Sequence, residues 1–485
     1  MADQPQDAMA APLLPSPEDG VAPPPPRRNR FAFVCATLAS MTTVLHGYNM
    51  TLMSGAQLFM KEDVGLSDGE IEVLAGSMSV FMLASILAAG WITDRLGRRC
   101  TLVLANAFLM AGALAMALGS SFASLMAARF VTSIGAGFAR VVAPVYNAEI
   151  SPPSTRGLLS SMLDIFINVG ILLSYVSNYA FAGLPVHTGW RAMFAAGAIP
   201  PAFIAGGVLF MPESPRWLAM RGRYADAHAV LLRTSDTSGE ADLRLRDIKR
   251  AVADHPPSPA TSTAGVWKEL LLRPSPTVRR ILACVLGLQF FVQASGIESI
   301  LLYSPLVFKA AGMPSTTAAV GATVAIGVVK TCFILVGMLF TDRIGRRPLL
   351  LASTAGVALT TASLAATLLA SSSSSSPATA AVSVAAVLAV VAAYSVGYGS
   401  VVNAYSAEIL PLRLRAQGLG MGLAVNRLAC GVVSMTFISL AGEITMPGCF
   451  FLYAGVTAAA FVFVYTQLPE TRGRSLEDMG VLFDK

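Results

Sequence analysis

The chain has 485 residues, of which 54% are hydrophobic and 13% charged, with a formal net charge of +6. A mean hydropathy of +0.64 excludes an ordinary soluble domain and places the chain in a bilayer. The basic residues are divided among loop ends rather than gathered in one patch, which argues against nucleic-acid binding.

Residues 1–30 precede the first apolar stretch, are rich in Pro and Ala, and end in Arg27, Arg28 and Arg30. They are expected to form a disordered cytosolic tail with a basic end beside the membrane; no apolar core in them suggests a cleaved signal peptide. Twelve apolar stretches follow, at about 31–53, 71–93, 101–121, 123–148, 158–181, 190–211, 279–309, 316–341, 347–370, 379–408, 416–440 and 447–468. Each is near or above the roughly 20 residues that a helix needs to cross a bilayer. The Lys and Arg residues concentrate in the tails and even-numbered loops, and Lys61 and Lys309 are the two in the odd-numbered loops. That asymmetry predicts cytosolic termini.

The organisation that follows is a six-helix half over 31–211, a hydrophilic insert over 212–278, a second six-helix half over 279–468 and a cytosolic tail over 469–485. Within the insert, 217–233 and 241–253 have helical composition and 256–265 reads as a flexible linker. The serine run 371–376 reads as the solvated tip of an external loop. Six scattered cysteines show no paired spacing, so neither a disulfide nor a metal site is inferred.

Three motifs recur in the two halves. TDRLGRR at 93–99 returns as TDRIGRR at 341–347. The stretch from Tyr146 through Glu149 to Arg156 returns from Tyr405 through Glu408 to Arg415, and Pro212-Glu213-Ser214 returns as Pro469-Glu470-Thr471. Repetition of this kind marks two related halves around a central path. The duplicated acids lie among arginines at helix ends. They are expected to form charge clamps of a cytosolic gate: Asp94, Arg95, Arg98, Glu149, Arg156, Glu213 and Arg216 in one half, and Asp342, Arg343, Arg346, Glu408, Arg415 and Glu470 in the other. The simpler reading is a set of acids neutralising basic loops; duplication at matched positions favours the gate.

Six ionisable residues fall inside the stretches: Arg129, Arg140, Asp164, Glu298, Lys330 and Arg427. Each costs about 2.5–3.5 kcal/mol at a helix centre, so such groups face the interior or a wet cavity. Arg129 and Arg140, about three turns apart, share one face of the fourth stretch. His46 is expected as a satisfied packing residue. No phosphate loop, nucleophile triad or metal spacing is present, so neither an enzyme nor an ATP-driven pump is expected, and no cofactor.

From about residue 31 to 480 the chain resembles the sugar porter family of the major facilitator superfamily. The resemblance rests on the paired DRxGRR loops, PESPRWL (212–218), PETRGRSLE (469–477) and the Glu-to-Arg spacings after the fourth and tenth stretches. Within that family VGILLSYVSNYAF (169–181), QASGIE (293–298), LYSP (302–305), GVVKT (327–331), LPLRLRAQG (410–418) and AVNR (424–427) resemble plant polyol transporters more than hexose carriers. The resemblance implies an all-α polytopic membrane protein of twelve transmembrane helices in two pseudo-symmetric halves. It implies alternating-access transport of small polyols or monosaccharides with proton symport, at the plasma membrane or, next, the vacuolar membrane.

By the same resemblance the substrate-binding candidates are Asp164, Gln293, Glu298, Lys330, Asn403 and Asn426, with a structural ion network of Glu298, Lys330 and Asp164 as the competing reading. Three departures from the family stand out. Val292 replaces the first glutamine of a pair, Asn403 replaces an aromatic residue, and Gly47-Tyr48-Asn49 stands where proton-coupled members carry GYD. Asparagine carries no proton, so the coupling candidates are Asn49, Arg129, Asp164 and Glu298, with Asp164 expected as the counter-ion of Arg129. A proton-independent uniporter and a non-transporting solute sensor are the alternatives; the short C-terminal tail favours transport.

Overall fold

The computed structural model describes residues 29–152, 155–254, 270, 274–371, 377–411 and 414–472. Apolar stretches can cross a bilayer only with their backbone groups satisfied internally, and here they do so as helices. Twelve helices among the described residues are long and apolar enough to cross: Arg30–Val64, Asp68–Leu96, Arg98–Leu118, Phe122–Ile150, Leu159–Phe181, Val186–Leu209, Pro276–Ala310, Thr316–Thr341, Arg346–Ser371, Ala378–Ile409, Gln417–Ile444 and Met446–Gln467. They are spans 1 to 12 below. The predicted tail 1–28, linker 256–265, serines 372–376 and residues 473–485 lie outside the described residues.

Span 1 runs eleven residues past its predicted end at 53. Residues after it such as Gln57, Phe59 and Met60 are buried, and the helix stops where Gly65 takes the left-handed conformation, φ 72°. Ser67 and Glu70 then form a capping box that starts span 2. In the insert, the element expected over 217–233 is two helices, Pro215–Met220 and Tyr224–Thr234, separated by a turn with Gly222 at φ 74°. Ser238–Asp254 follows as a third.

Spans 1 and 5 approach most closely through reciprocal glycines. A Cβ on Gly47 would sit 2.1 Å from the carbonyl oxygen of Ile167, and one on Gly170 would sit 2.0 Å from that of Val44. Only hydrogen at both positions lets the two backbones meet.

Spans 7 and 10 are broken. Span 7 divides into Pro276–Ala294 and Ile297–Ala310 at Gly296, and span 10 into Pro377–Val396 and Tyr398–Ile409 at Gly397. Ser353 of span 9 serves the second break. Its hydroxyl donates to the carbonyl of Ala393 at 2.8 Å and accepts the N–H of Tyr398 at 3.1 Å. Breaks of this kind are tolerated in a membrane where neighbours supply such partners or the backbone lines a cavity.

The first and last described residues, Asn29 and Arg472, and both DRxGRR turns lie at one end of the bundle, here the termini end; the other is the far end. Among the described residues, the hydrogen bonds that join the two halves lie in the middle or toward the far end. Gln57 donates to the carbonyl of Leu302 (2.9 Å), Tyr175 to that of Leu301 (2.7 Å) and Thr331 to that of Asn168 (3.4 Å). The halves are therefore in contact at the far end, with the polar cavity on the termini side of those contacts.

Candidate functional site

The cavity lies between the halves and is lined from spans 1, 4, 5, 7, 8, 10 and 11. It holds about 120 Å³, room for roughly four waters. The break in span 7 aims Glu298 into it from the first turn of Ile297–Ala310, while Gln289 and Gln293, one helical turn apart, face it from the other segment.

One wall is a chain of amides. Gln293 donates to the Asn426 side-chain oxygen at 3.2 Å, Asn426 donates to that of Gln289 at 3.0 Å, and Gln289 reaches Asn403 at 3.5 Å. Arg427 binds the same Asn426 oxygen through Nε and Nη2, at 3.1 and 2.6 Å. The Gln293 side-chain oxygen is buried without a hydrogen-bond partner. It is a spare acceptor at the cavity wall, and a buried polar atom of that kind costs free energy until something donates to it.

All six predicted substrate-binding residues, Asp164, Gln293, Glu298, Lys330, Asn403 and Asn426, line this one cavity. Lys330 places its ammonium 5.2 Å from the centre of the Tyr394 ring, a cation–π contact. Polar lining residues outside those six include Arg140, Arg427, Gln289, Asn168 and His46. Gln289 carried a usable signal, since it precedes Gln293 by four and so shares its helix face. His46, expected as a satisfied packing residue, instead faces the cavity, and its Nδ1 has no hydrogen-bond partner.

The expected pairing of Arg129 with Asp164 is not what the structure holds. Arg129 donates to the backbone carbonyls of Asn49 and Ala75, each at 3.3 Å, and its Nε is buried without a partner. The Asn49 side chain turns back to donate to the Leu45 carbonyl at 2.9 Å. Asp164 shares the cavity wall with Arg140 instead. Helical rise explains the exchange: eleven residues separate the two arginines by about 16 Å along span 4. Arg140 is the arginine nearer the termini end, and Asp164, near the termini end of span 5, lines the same cavity with it.

The duplicated motifs form two near-identical clusters. In the first, Glu213 accepts the N–H groups of Arg98 and Arg99 at 2.9 and 3.1 Å, neutralising the N-terminus of span 3. Arg98 grips Glu149 through two bonds of 2.9 and 3.1 Å and meets Asp94 at 3.1 Å; Ser214 also donates to Glu149. In the second, Glu470 accepts from Arg346 and Arg347 at 3.1 and 3.0 Å, Arg346 grips Glu408 at 3.2 and 3.0 Å, and Thr471 donates to Glu408. The glycine of each motif has positive φ, 93° at Gly97 and 105° at Gly345. A Cβ there would meet the Glu213 carboxylate at 2.4 Å or that of Glu470 at 3.0 Å. Gly is required at both positions for conformation and for space.

These contacts stay within one half. Arg95, Arg216 and Arg343 are exposed, and Arg415 donates to the Leu410 carbonyl. The side chains of Arg156 and Asp342 lie outside the described residues.

Two six-span halves enclosing a polar cavity, with contacts at one end and the cavity toward the other, define a membrane transporter of the major facilitator fold rather than an enzyme. Residues 35–483 match the family model described as "Sugar (and other) transporter". The chain belongs to that family. It is 49% identical to "Polyol transporter 5" of Arabidopsis thaliana over 478 residues, covering 96% of this chain and 89% of the relative. It is 34% identical to "Putative metabolite transport protein YwtG" of Bacillus subtilis, covering 90% of this chain and 91% of that one. Among solved structures it is similar to the proton:xylose symporter XylE bound to 6-bromo-6-deoxy-D-glucose, with TM-score 0.75 and 26% identity over 94% of this chain and 99% of that one. A partially occluded inward-open conformation of the xylose transporter XylE from E. coli gives 0.76 and 25%, over 92% of this chain and 100% of that one.

Proposed function

We propose that this transporter carries a small polyhydroxylated solute, a polyol or monosaccharide, by alternating access through the central cavity. The amide wall supports this reading most directly: Gln289, Gln293 and Asn426 offer donors and acceptors to hydroxyls, and the Gln293 oxygen is left unused. The names of the similar polyol and xylose transporters agree with it. Asp164, Gln293, Glu298, Lys330, Asn403 and Asn426 are the substrate contacts of this reading. Counterflow of labelled hexitols and hexoses in liposomes tests it. Absence of counterflow for every neutral and acidic sugar derivative offered would leave a solute sensor as the better account.

We read the coupling as proton symport carried by Asp164 or Glu298, since both carboxylates line the cavity and position 49 is an amide. A uniport mechanism has its own observation in favour: Arg129 meets carbonyl oxygens where a titrating carboxylate would stand. Uptake that is unchanged when the proton gradient is collapsed decides for uniport.

The charge clusters support a gate in which each half is fastened as a unit, so that closure of the termini end is a movement of whole halves rather than exchange of ion pairs between them. The excess of Lys and Arg at the termini end supports cytosolic termini, and the plasma membrane is the proposed location. Protease protection of tags at each terminus in intact cells checks the orientation.

A further inference from the structure

The charges of the cavity do not balance. Arg140, Lys330 and Arg427 line it against Asp164 and Glu298. Arg129 stands behind, on an adjoining space that also touches Glu298 and Arg427. The wall thus carries one more cation than carboxylate, and two more with Arg129 included.

Nor do the cations spend themselves on the carboxylates. Among the described residues none of these six groups forms a direct ion pair. Arg427 binds a neutral amide oxygen, and Lys330 lies over the Tyr394 ring. A buried cation without a counter-ion is costly, and an arginine or lysine with free donors is the side chain that binds a carboxylate most strongly. The cavity is therefore short of one negative charge, at a place where solute enters.

The amide wall narrows what could bring that charge. A bare inorganic anion would use the cations and leave Gln289, Gln293 and Asn403 idle, whereas a hydroxylated chain engages them. We propose that the preferred substrate of this cavity is a polyhydroxylated carboxylate, an aldonate or uronate, with its carboxylate held by Arg140 together with Lys330 or Arg427 and its hydroxyls by the amides. The proposal rests on the transporter reading above and moves its substrate from neutral polyols and sugars to their acidic derivatives.

D-gluconate and D-sorbitol test it, because they share a six-carbon hydroxylated chain and differ at carbon 1. Titration calorimetry on the purified full chain is expected to show gluconate binding about tenfold tighter than sorbitol or more. Arg140→Gln is expected to bring the ratio of the two affinities near one, and Arg140→Lys to keep gluconate ahead. Equal binding by the wild-type protein, or tighter binding of sorbitol, overturns the proposal. So does displacement of gluconate by equimolar chloride or inorganic phosphate, which would make the site a general anion well. Counterflow separates the two levels: sorbitol exchange without gluconate exchange sinks this inference and keeps the transporter, whereas exchange of neither sinks the transporter and leaves the binding ratio to decide the rest.

Discussion

The Glu72 carboxylate on span 2 accepts the backbone N–H of Ile438 on span 11 at 2.6 Å. It also takes the N–H of Ser439 at 3.2 Å and the Ser439 hydroxyl. Both N–H groups lie inside a helix, where carbonyls four residues back are the usual acceptors. One of those carbonyls, that of Ser434, accepts the Tyr303 hydroxyl at 2.7 Å. A single carboxylate thus fastens the far ends of the two halves through a turn shared by three spans.

A hydrogen bond to a charged group contributes about 1.5–3 kcal/mol, so removing this one shifts the balance of states by roughly tenfold or more. Glu72→Ala is expected to populate a form open at the far end, and Glu72→Gln, which keeps an acceptor, to lie between. Spin labels at the exposed positions Lys61 and Lys309, on opposite halves, would read the opening as a longer distance. An unchanged distance distribution in Glu72→Ala would show that the far end is held otherwise.

The clusters at the termini end invite a double-mutant cycle. Arg98 and Glu149 share two hydrogen bonds within one half, so their alanine substitutions should couple by about 0.5–3 kcal/mol in thermal unfolding. Arg98 and Glu408, which belong to different clusters, should be additive. Coupling across the halves as large as that within one would restore an interhalf clamp.

Gln289 tests the amide wall apart from the charges. Its side-chain oxygen accepts from Asn426 at 3.0 Å, so Gln289→Ala frees one amide arm and removes one cavity contact. The expected result is a KM raised about tenfold, from about 1–1.5 kcal/mol of lost hydrogen bonding. A KM within twofold of wild type would place the solute elsewhere in the cavity.

Asn49→Asp places an ionisable group next to Arg129, whose Nη1 already lies 3.3 Å from the Asn49 carbonyl. The variant is expected to gain a proton-dependent component of uptake that the wild-type residue cannot provide. Identical pH profiles for the two proteins would argue that Arg129 takes no part in coupling.

Much of the site could be read before folding. Glu298 and Lys330 stood out because ionisable side chains in apolar stretches need a wet or paired environment, Gln293 and Asn426 were marked by the resemblance to sugar porters, and all four line one cavity. Gln289 was legible in principle, from its helical register with Gln293. The partner of Arg129 was not, because depth along a helix has to be matched between spans of opposite direction. Asp164 could be assigned to span 5 from the chain, but its sharing a cavity with Arg140 depends on how far each helix extends.

The duplicated TDRxGRR motif shows the same division. Sequence alone established two related halves, twelve apolar spans and the glycine, acid and arginine of each turn, since these follow from composition, periodicity and repetition along one chain. Which acid meets which arginine was decided by tertiary structure: Glu213 and Glu149 close on Arg98, and Glu470 and Glu408 on Arg346, each within its own half. The reason is that an ion pair is set by distances of a few ångströms between helix ends, and these appear only once the spans have packed, through contacts such as Gly47 and Gly170.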